Sequence, residues 1–254
     1  LDRIEKITAV KPEFVHIDLK SAAATKDFFE SHKDAAAVIH FAAHKAVAES
    51  IQNPLMYYNN NFVSLINVLI SMQEFGVSNF IFSSSATVYG NPSIMPIREQ
   101  TPTQRPFSPY GNSKRIAEEI LEDVCSAHPD FSTILLRYFN PIGAHSSGFI
   151  GEFPSGVPNN LMPYITQTAA GIREKLSVFG DDYPTKDGTA VRDYIHVVDL
   201  ADAHVKAVSR LLSGDSQTNI ETINLGTGIG YSVLEVIKAF ESVSGKPLNY
   251  EVTN

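Results

Sequence analysis

A tyrosine and a lysine four residues apart, Tyr110 and Lys114, carry the first chemistry legible in this chain. In a helix four residues make about one turn, so both side chains share a face with Cβ atoms about 5–6 Å apart. A phenol of reference pKa ~10 is a poor base at neutral pH, and lowering it by about three units takes ~4 kcal/mol of preferential stabilisation of the phenolate. An adjacent ammonium acts in that direction. On spacing alone the plainer reading is a pair of residues on a helix surface. Upstream, Phe80-Ile-Phe-Ser-Ser-Ser-Ala-Thr-Val-Tyr-Gly90 runs an apolar strand into three hydroxyls. Ligands of open α/β sheets bind outside the carboxyl ends of strands, where Ser85 would reach a reacting oxygen. The plainer reading of the serines is a turn or cap. Val38-Ile-His-Phe-Ala-Ala43 also ends in two small residues, which admit either a close ligand or a close helix.

These residues need elements to position them. Short apolar runs at 13–17, 37–41, 79–83 and 133–136 read as strands, and helical periodicity fills 25–31, 54–75 and 109–127 between them. Such alternation predicts an α/β fold, a parallel sheet covered by helices. In 54–75 the inner stripe is Leu65, Val68, Leu69 and Met72, with Pro54 at a tolerated helix start and Gly76 at the stop. From Tyr138 to Asn160 the pattern dissolves into Pro141, Gly143, Gly148, Gly151, Pro154, Gly156 and Pro158, which predicts a long functional or mobile loop. A helix over 161–170 and strands at 177–179 and 193–196 follow, then helix, strand, helix and strand. We expect one domain over residues 1–140 and a smaller one over 141–254, with some later elements returning to the first.

With 254 residues, 43% hydrophobic and 19% charged, the chain can bury a real core. Twenty Lys and Arg against 28 Asp and Glu give a net charge of -8, which opposes binding to nucleic acid or an anionic membrane. One cysteine, Cys125, makes neither an internal disulfide nor a multi-thiolate metal site, so no metal is expected and a reducing cytoplasmic location is. No apolar run approaches the ~20 residues of a membrane helix. Leu1 to Ile7 reads as the end of an amphipathic helix, which predicts an upstream βα unit.

Taken together, the blocks Val38–Ser50, Asn79–Gly90, Ser108–Lys114, Leu136–Ala144, Pro158–Tyr164, Val178–Thr185, Asp187–His196 and Asn224–Gly228 resemble the extended short-chain dehydrogenase/reductase family. Within it they resemble the branch that epimerises UDP-hexoses at C4. The resemblance implies a Rossmann-like doubly wound parallel sheet, NAD as cofactor, a UDP-sugar substrate, interconversion of UDP-glucose and UDP-galactose through a 4-keto sugar, and a homodimer. It implies Tyr110 as the base, Ser85 as its partner on O4, and Lys114 as the residue that holds the nicotinamide ribose and, with the positive nicotinamide, depresses the Tyr110 pKa. For the cofactor it implies Asp18, Leu19, Phe41, Ala42, Ala43, His44, Lys45, Asn60, Tyr138 and Phe139, beside Ser85, Tyr110 and Lys114. For the UDP-sugar it implies Asn140, Asn160, Leu161, Phe179 and Arg192, with Arg192 clamping the diphosphate. Arg192 between Val191 and Asp193 reads otherwise as an ion pair, and Asn60, in a run of three Asn, as a solvated helix face.

The chain departs from the branch at Ala43-His44, where Gly-Leu is usual, and in having no G-x-x-G-x-x-G turn for a pyrophosphate. Residues 1–254 by themselves are therefore expected to hold NAD weakly and to be inactive. Gly226-Thr-Gly-Ile-Gly230 lacks the dinucleotide spacing and reads as a tight turn. Two rival readings are a nucleotide-sugar 4,6-dehydratase and a non-catalytic dinucleotide-binding scaffold. The dehydratase needs an acid and base pair where this chain has Ala86 and Thr87, and the scaffold would not need Tyr110, Lys114 and Ser85 together.

Overall fold

Four parallel strands, Val38–His40, Asn79–Ser83, Ser132–Tyr138 and Ile220–Leu225 in that order across the sheet, have the serines at a carboxyl end and the helix that bears the tyrosine and lysine beside it. The computed structural model describes residues 1–154 and 156–253. In chain order the elements are α1 (Asp2–Thr8), α2 (Ala22–Ser31), β1 (Val38–His40), α3 (Val47–Gln52), α4 (Pro54–Phe75), β2 (Asn79–Ser83), a 3-10 turn (Ala86–Tyr89), α5 (Pro109–Ala127) and β3 (Ser132–Tyr138). They continue as β4 (Asn140–Ile142), α6 (Leu161–Ala169), β5 (Leu176–Phe179), β6 (Val191–His196), α7 (Val197–Ser213), β7 (Ile220–Leu225), β8 (Gly230–Ser232), α8 (Val233–Ser244) and β9 (Tyr250–Thr253). The chain divides into two units, Leu1–Tyr138 with Leu200–Leu225, and Phe139–Asp199 with the residues from Gly226 onward.

In the first unit successive strand residues point to opposite faces, and each face is covered. Phe80, Phe82 and Leu135 pack with Leu65, Val68, Leu69 and Met72 of α4, with Leu121 and Cys125 of α5, and with Phe29 of α2. On the other side Ile81, Ile134 and Leu136 pack against Ala207 and Leu211 of α7. Helices on both faces make the sheet doubly wound, and burial of each such side chain contributes about 1.5–3 kcal/mol. The helix α4 starts at Pro54 and stops at Gly76, whose φ of 75° suits a residue without Cβ.

The second unit holds a three-stranded sheet, β4-β6-β8, a parallel pair, β5-β9, and a core of Ile165, Leu176, Val178, Ile237 and Leu248. Its helix α8 begins with a full capping box between Ser232 and Glu235. The segment 138–160, expected to be loop throughout, contributes the short strand β4, which pairs with β6.

One expected strand does not form. Residues 13–17 have the right apolar composition, yet they are not in a strand, and Phe14 and Val15 are 67% and 41% exposed. A strand exists through its ladder. Among the described residues β1 is an edge, and 13–17 does not pair with it.

Candidate active site

The first turn of α5 is built to start where it does. Ser108 accepts the Gly111 amide at 3.1 Å, and Pro109 occupies the first helical position, where its missing N–H costs nothing. Tyr110 therefore lies in the first turn and Lys114 one turn later on the same side, as the spacing predicts. Lys114 is only 5% exposed. Its ammonium donates to the Ser83 carbonyl at 2.6 Å and sits 4.7 Å from the centre of the Phe82 ring. Burial pulls the Lys114 pKa down to about 8, against the opposing pull of Glu118.

Ser85 caps the 3-10 turn. Its oxygen accepts from the Thr87 amide at 3.2 Å and from the Thr87 hydroxyl at 3.0 Å. A hydroxyl has two lone pairs and one proton, so Thr87 leaves Ser85 its proton to donate. Hydrogen bonding with Ser85 favours the Tyr110 phenolate, but burial first, and Tyr138 second, push the Tyr110 pKa up to about 12. The lowering expected of Lys114 involves a bound nicotinamide as well; in the side chains alone burial raises the Tyr110 pKa, and the Lys114 ammonium is turned to the Ser83 carbonyl. The Tyr138 hydroxyl pairs with the Ser83 hydroxyl. Tyr110, Lys114, Ser85 and Tyr138 consequently meet at the ends of β2 and β3.

The ridge after β1 is tied to this cluster by a residue the sequence reading passed over. Asn61 is buried; its side-chain oxygen accepts from the His44 amide at 2.8 Å, and its NH2 donates to the His44 carbonyl at 3.2 Å and to Ser113 at 3.0 Å. Ser113 in turn donates to the Tyr110 carbonyl at 2.7 Å. Asn60, chosen from the sequence, is half-buried and donates to Asn61 at 3.1 Å. The buried stripe of α4 runs through Tyr57, Asn61, Ser64, Leu65 and Val68, and that register was the available signal. Phe41 is 57% exposed, with Ala42 and Lys45 exposed beside it and Ala43 and His44 half-buried. Asp18 is exposed and accepts the Lys20 amide at 3.0 Å, while the Leu19 carbonyl is taken by Asn67 at 2.8 Å. His40, also missed, is buried and stacked on Phe82; burial, with the Lys114 charge second, lowers its pKa to about 4 and keeps it neutral.

These groups suit the nicotinamide and ribose half of a dinucleotide. An ammonium has three protons and Lys114 uses one on Ser83, so the others can meet ribose hydroxyls, while Phe41, Ala42 and Ala43 offer a low, largely apolar ridge. No group of three or more metal-ligating side chains occurs among the described residues.

In the second unit Phe139 packs against Gly226, where an added Cβ would lie 2.9 Å from its ring. Asn140 opens β4, and Asn160 immediately precedes α6, which Leu161 begins. Asn160 donates to Glu152 at 2.5 Å. Phe179 ends β5 and is 75% exposed. Arg192 is exposed and donates to the Val191 carbonyl at 2.7 Å. Asp193 is not its partner. That carboxylate accepts from the Thr227 amide at 2.9 Å, the Thr227 hydroxyl at 2.8 Å and the Gly228 amide at 2.8 Å, and so holds the tight turn at 226–230.

A parallel sheet wound on both faces, with a Tyr, a Lys and a Ser gathered at its strand ends, defines a class, and the whole chain agrees with it. Residues 2–226 match the family model described as NAD dependent epimerase/dehydratase family, and the chain belongs to that family. Its relatives include UDP-glucose 4-epimerases. That of Mus musculus is 52% identical over 252 residues, covering 99% of this chain and 72% of the relative. That of Bacillus subtilis (strain 168) is 52% identical over 250 residues, covering 98% and 72%. Among solved structures, the UDP-glucose 4-epimerase of Bifidobacterium longum in complex with NAD+ and UDP superposes with a TM-score of 0.94 at 47% identity, over 100% of this chain and 74% of that one. The Stenotrophomonas maltophila enzyme with bound NAD and formylated UDP-arabinopyranose gives 0.93 at 47%, over 99% and 74%.

Proposed function

We propose that the protein is an isomerase that epimerises UDP-hexoses at C4, interconverting UDP-glucose and UDP-galactose in galactose metabolism with NAD as its cofactor. The observation that carries this reading is the meeting of Tyr110, Lys114 and Ser85 at the end of β2 in a chain about half identical to UDP-glucose 4-epimerases. A bound NAD would supply the acceptor, and later the donor, for the hydride of C4. Tyr110 takes the proton of the 4-hydroxyl, and Ser85, its lone pairs engaged by Thr87, donates to O4. Lys114 supplies the positive charge beside the phenol and two protons for ribose hydroxyls. The 4-keto sugar turns over before hydrogen returns to its opposite face. Ala86 and Thr87 do not titrate at ordinary pH, which disfavours the elimination of a 4,6-dehydratase.

By the same reading Asp18, Leu19, Phe41 to Lys45, Asn60, Tyr138 and Phe139 serve the cofactor. Asn140, Asn160, Leu161, Phe179 and Arg192 serve the UDP half. Arg192 suits a diphosphate because its planar fork pairs well with phosphate oxygens, and among the described residues no carboxylate forms an ion pair with it. Among the described residues no helix is long and apolar enough to cross a membrane, and the lone, buried Cys125 agrees with a cytoplasmic location. We further infer a homodimer through α4 and α5. Ile66 and Ile70, 40% and 56% exposed, form part of an apolar strip on α4.

The test is Tyr110→Phe in the full-length, NAD-loaded protein, followed by a coupled assay of UDP-galactose conversion. Turnover should fall by at least about 10²-fold, the usual scale for losing a general base, with the circular dichroism and melting temperature of the wild type. Unchanged turnover removes Tyr110 from the reaction.

A further inference from the structure

The three consecutive serines at the end of β2 are docked on α5 at three positions spaced by four. Ser85 faces Tyr110, the Ser83 carbonyl takes Lys114 at 2.6 Å, and the Ser84 hydroxyl donates to Glu118 at 2.5 Å. Two of these contacts belong to the proposed chemistry and the third does not. Ser84 is 0% exposed and Glu118 2%, so neither group can reach solvent or substrate. Glu118 is itself held from the other side. Arg137 on β3 donates to its two carboxylate oxygens at 2.9 and 2.6 Å, and also to the Tyr89 hydroxyl at 3.0 Å. Tyr89 donates onward to Asn224 at 2.6 Å, whose amide is taken by Glu99 at 2.9 Å. The 3-10 turn that follows Ser85, the strand β3 and the helix α5 are therefore joined under the site by one buried chain of hydrogen bonds.

We propose that Glu118, pinned by Arg137, is a positioning residue: by accepting the Ser84 hydroxyl it fixes the register of the strand end against α5, so that Ser85 meets Tyr110 and Ser83 meets Lys114. This rests on the reading of Tyr110, Lys114 and Ser85 as the reacting groups. The backbone alone does not set that register. The ladder of β2 with β3 ends at Ser83, with Ser84 adding one amide bond to the Leu136 carbonyl, while Ser85 already belongs to the turn. Beyond Ser84 the contacts to α5 decide where the Ser85 hydroxyl points. A group misplaced by about 1 Å can cost about a hundredfold in rate, so a slip too small to unfold the protein is enough to be read in turnover.

The experiment compares three variants of the full-length, NAD-loaded enzyme. Ser84→Ala removes the hydroxyl and leaves Glu118 its Arg137 partner. The double variant Glu118→Leu with Arg137→Met replaces the ion pair by apolar side chains of similar length, which keeps the core filled without a stranded charge. Tyr110→Phe is the control for the underlying reading. We expect kcat to fall about ten- to a hundredfold in Ser84→Ala and in the double variant, with KM for UDP-galactose within about twofold and the melting temperature within a few degrees of wild type. A folded Ser84→Ala or double variant with wild-type kcat overturns the positioning role, as does a loss of rate that follows the melting temperature alone. If Tyr110→Phe is active, the proposed chemistry fails first; if it is dead while the other two turn over normally, only the role of Glu118 fails.

Discussion

The groups that react are ordinary side chains made unusual by where they sit. Burial moves Tyr110 up to about 12 and Lys114 down to about 8, so each is pushed toward its neutral form. A base is needed at one and a cation at the other, so the positive charge that balances the phenolate has to be gathered around it, which is the part Lys114 and a bound nicotinamide play together in the proposed reaction. His40 shows the same physics in stability. Its folded pKa of about 4 lies below the ordinary histidine value of 6.5, so between those values the unfolded chain binds a proton that the native protein refuses. Its contribution is complete above about pH 6.5 and is lost as pH falls toward 4, by about 3 kcal/mol in all for such a shift. His40→Phe keeps a ring in the stack with Phe80 and Phe82 and removes the titration. In denaturant titrations the variant should gain about 3 kcal/mol on the wild type between pH 6.5 and pH 4; an equal acid loss in both proteins would refute the assignment.

At the scale of elements, the site depends on how closely α5 approaches the turn after β2. Gly111, next to Tyr110, has no room for a side chain. A Cβ there would meet Pro106 at 2.8 Å and the Thr87 hydroxyl at 3.2 Å. The proline ring cannot swing aside, so Gly111→Ala should push the first turn of α5 away from Thr87. Overpacking of this kind costs about 1–3 kcal/mol, and the displaced Tyr110 should lower kcat tenfold or more. Chemical denaturation and steady-state kinetics read the two effects separately, and a variant with normal stability and rate would show that the contact is slack. The same closeness explains the caps. Ser108 and Pro109 start α5 abruptly, with Tyr110 already in its first turn.

For the molecule as a whole, a charge of -8 opposes binding to nucleic acid, while the exposed Ile66 and Ile70 of α4 are where the proposed dimer is tested. The proposed dimer makes Ile66→Glu with Ile70→Glu the informative variant. Carboxylates buried at an interface without partners are costly, so sedimentation velocity should show the variant as a monomer where the wild type is a dimer. A wild type that sediments as a monomer refutes the dimer outright.

Much of this arrangement is local and could be read from the order of residues. The inner stripe of α4, its Pro54 start and Gly76 stop, the Tyr and Lys on one helical face and the small residues after β1 all follow from periodicity, helix-end chemistry and motif, because each depends on neighbours a few positions away. The family resemblance added roles to those positions. What required the folded chain was pairing between distant segments. Residues 13–17 have the composition of a strand but no ladder, since composition does not supply a neighbour. Asn61 rather than Asn60 ties the ridge to α5, because the helix register against the sheet turns one inward. The direction of the Tyr110 shift, and the joining of Ser84, Glu118 and Arg137 across 53 positions of sequence (84 to 137), depend on burial and on contacts that exist only once β2, β3 and α5 are packed.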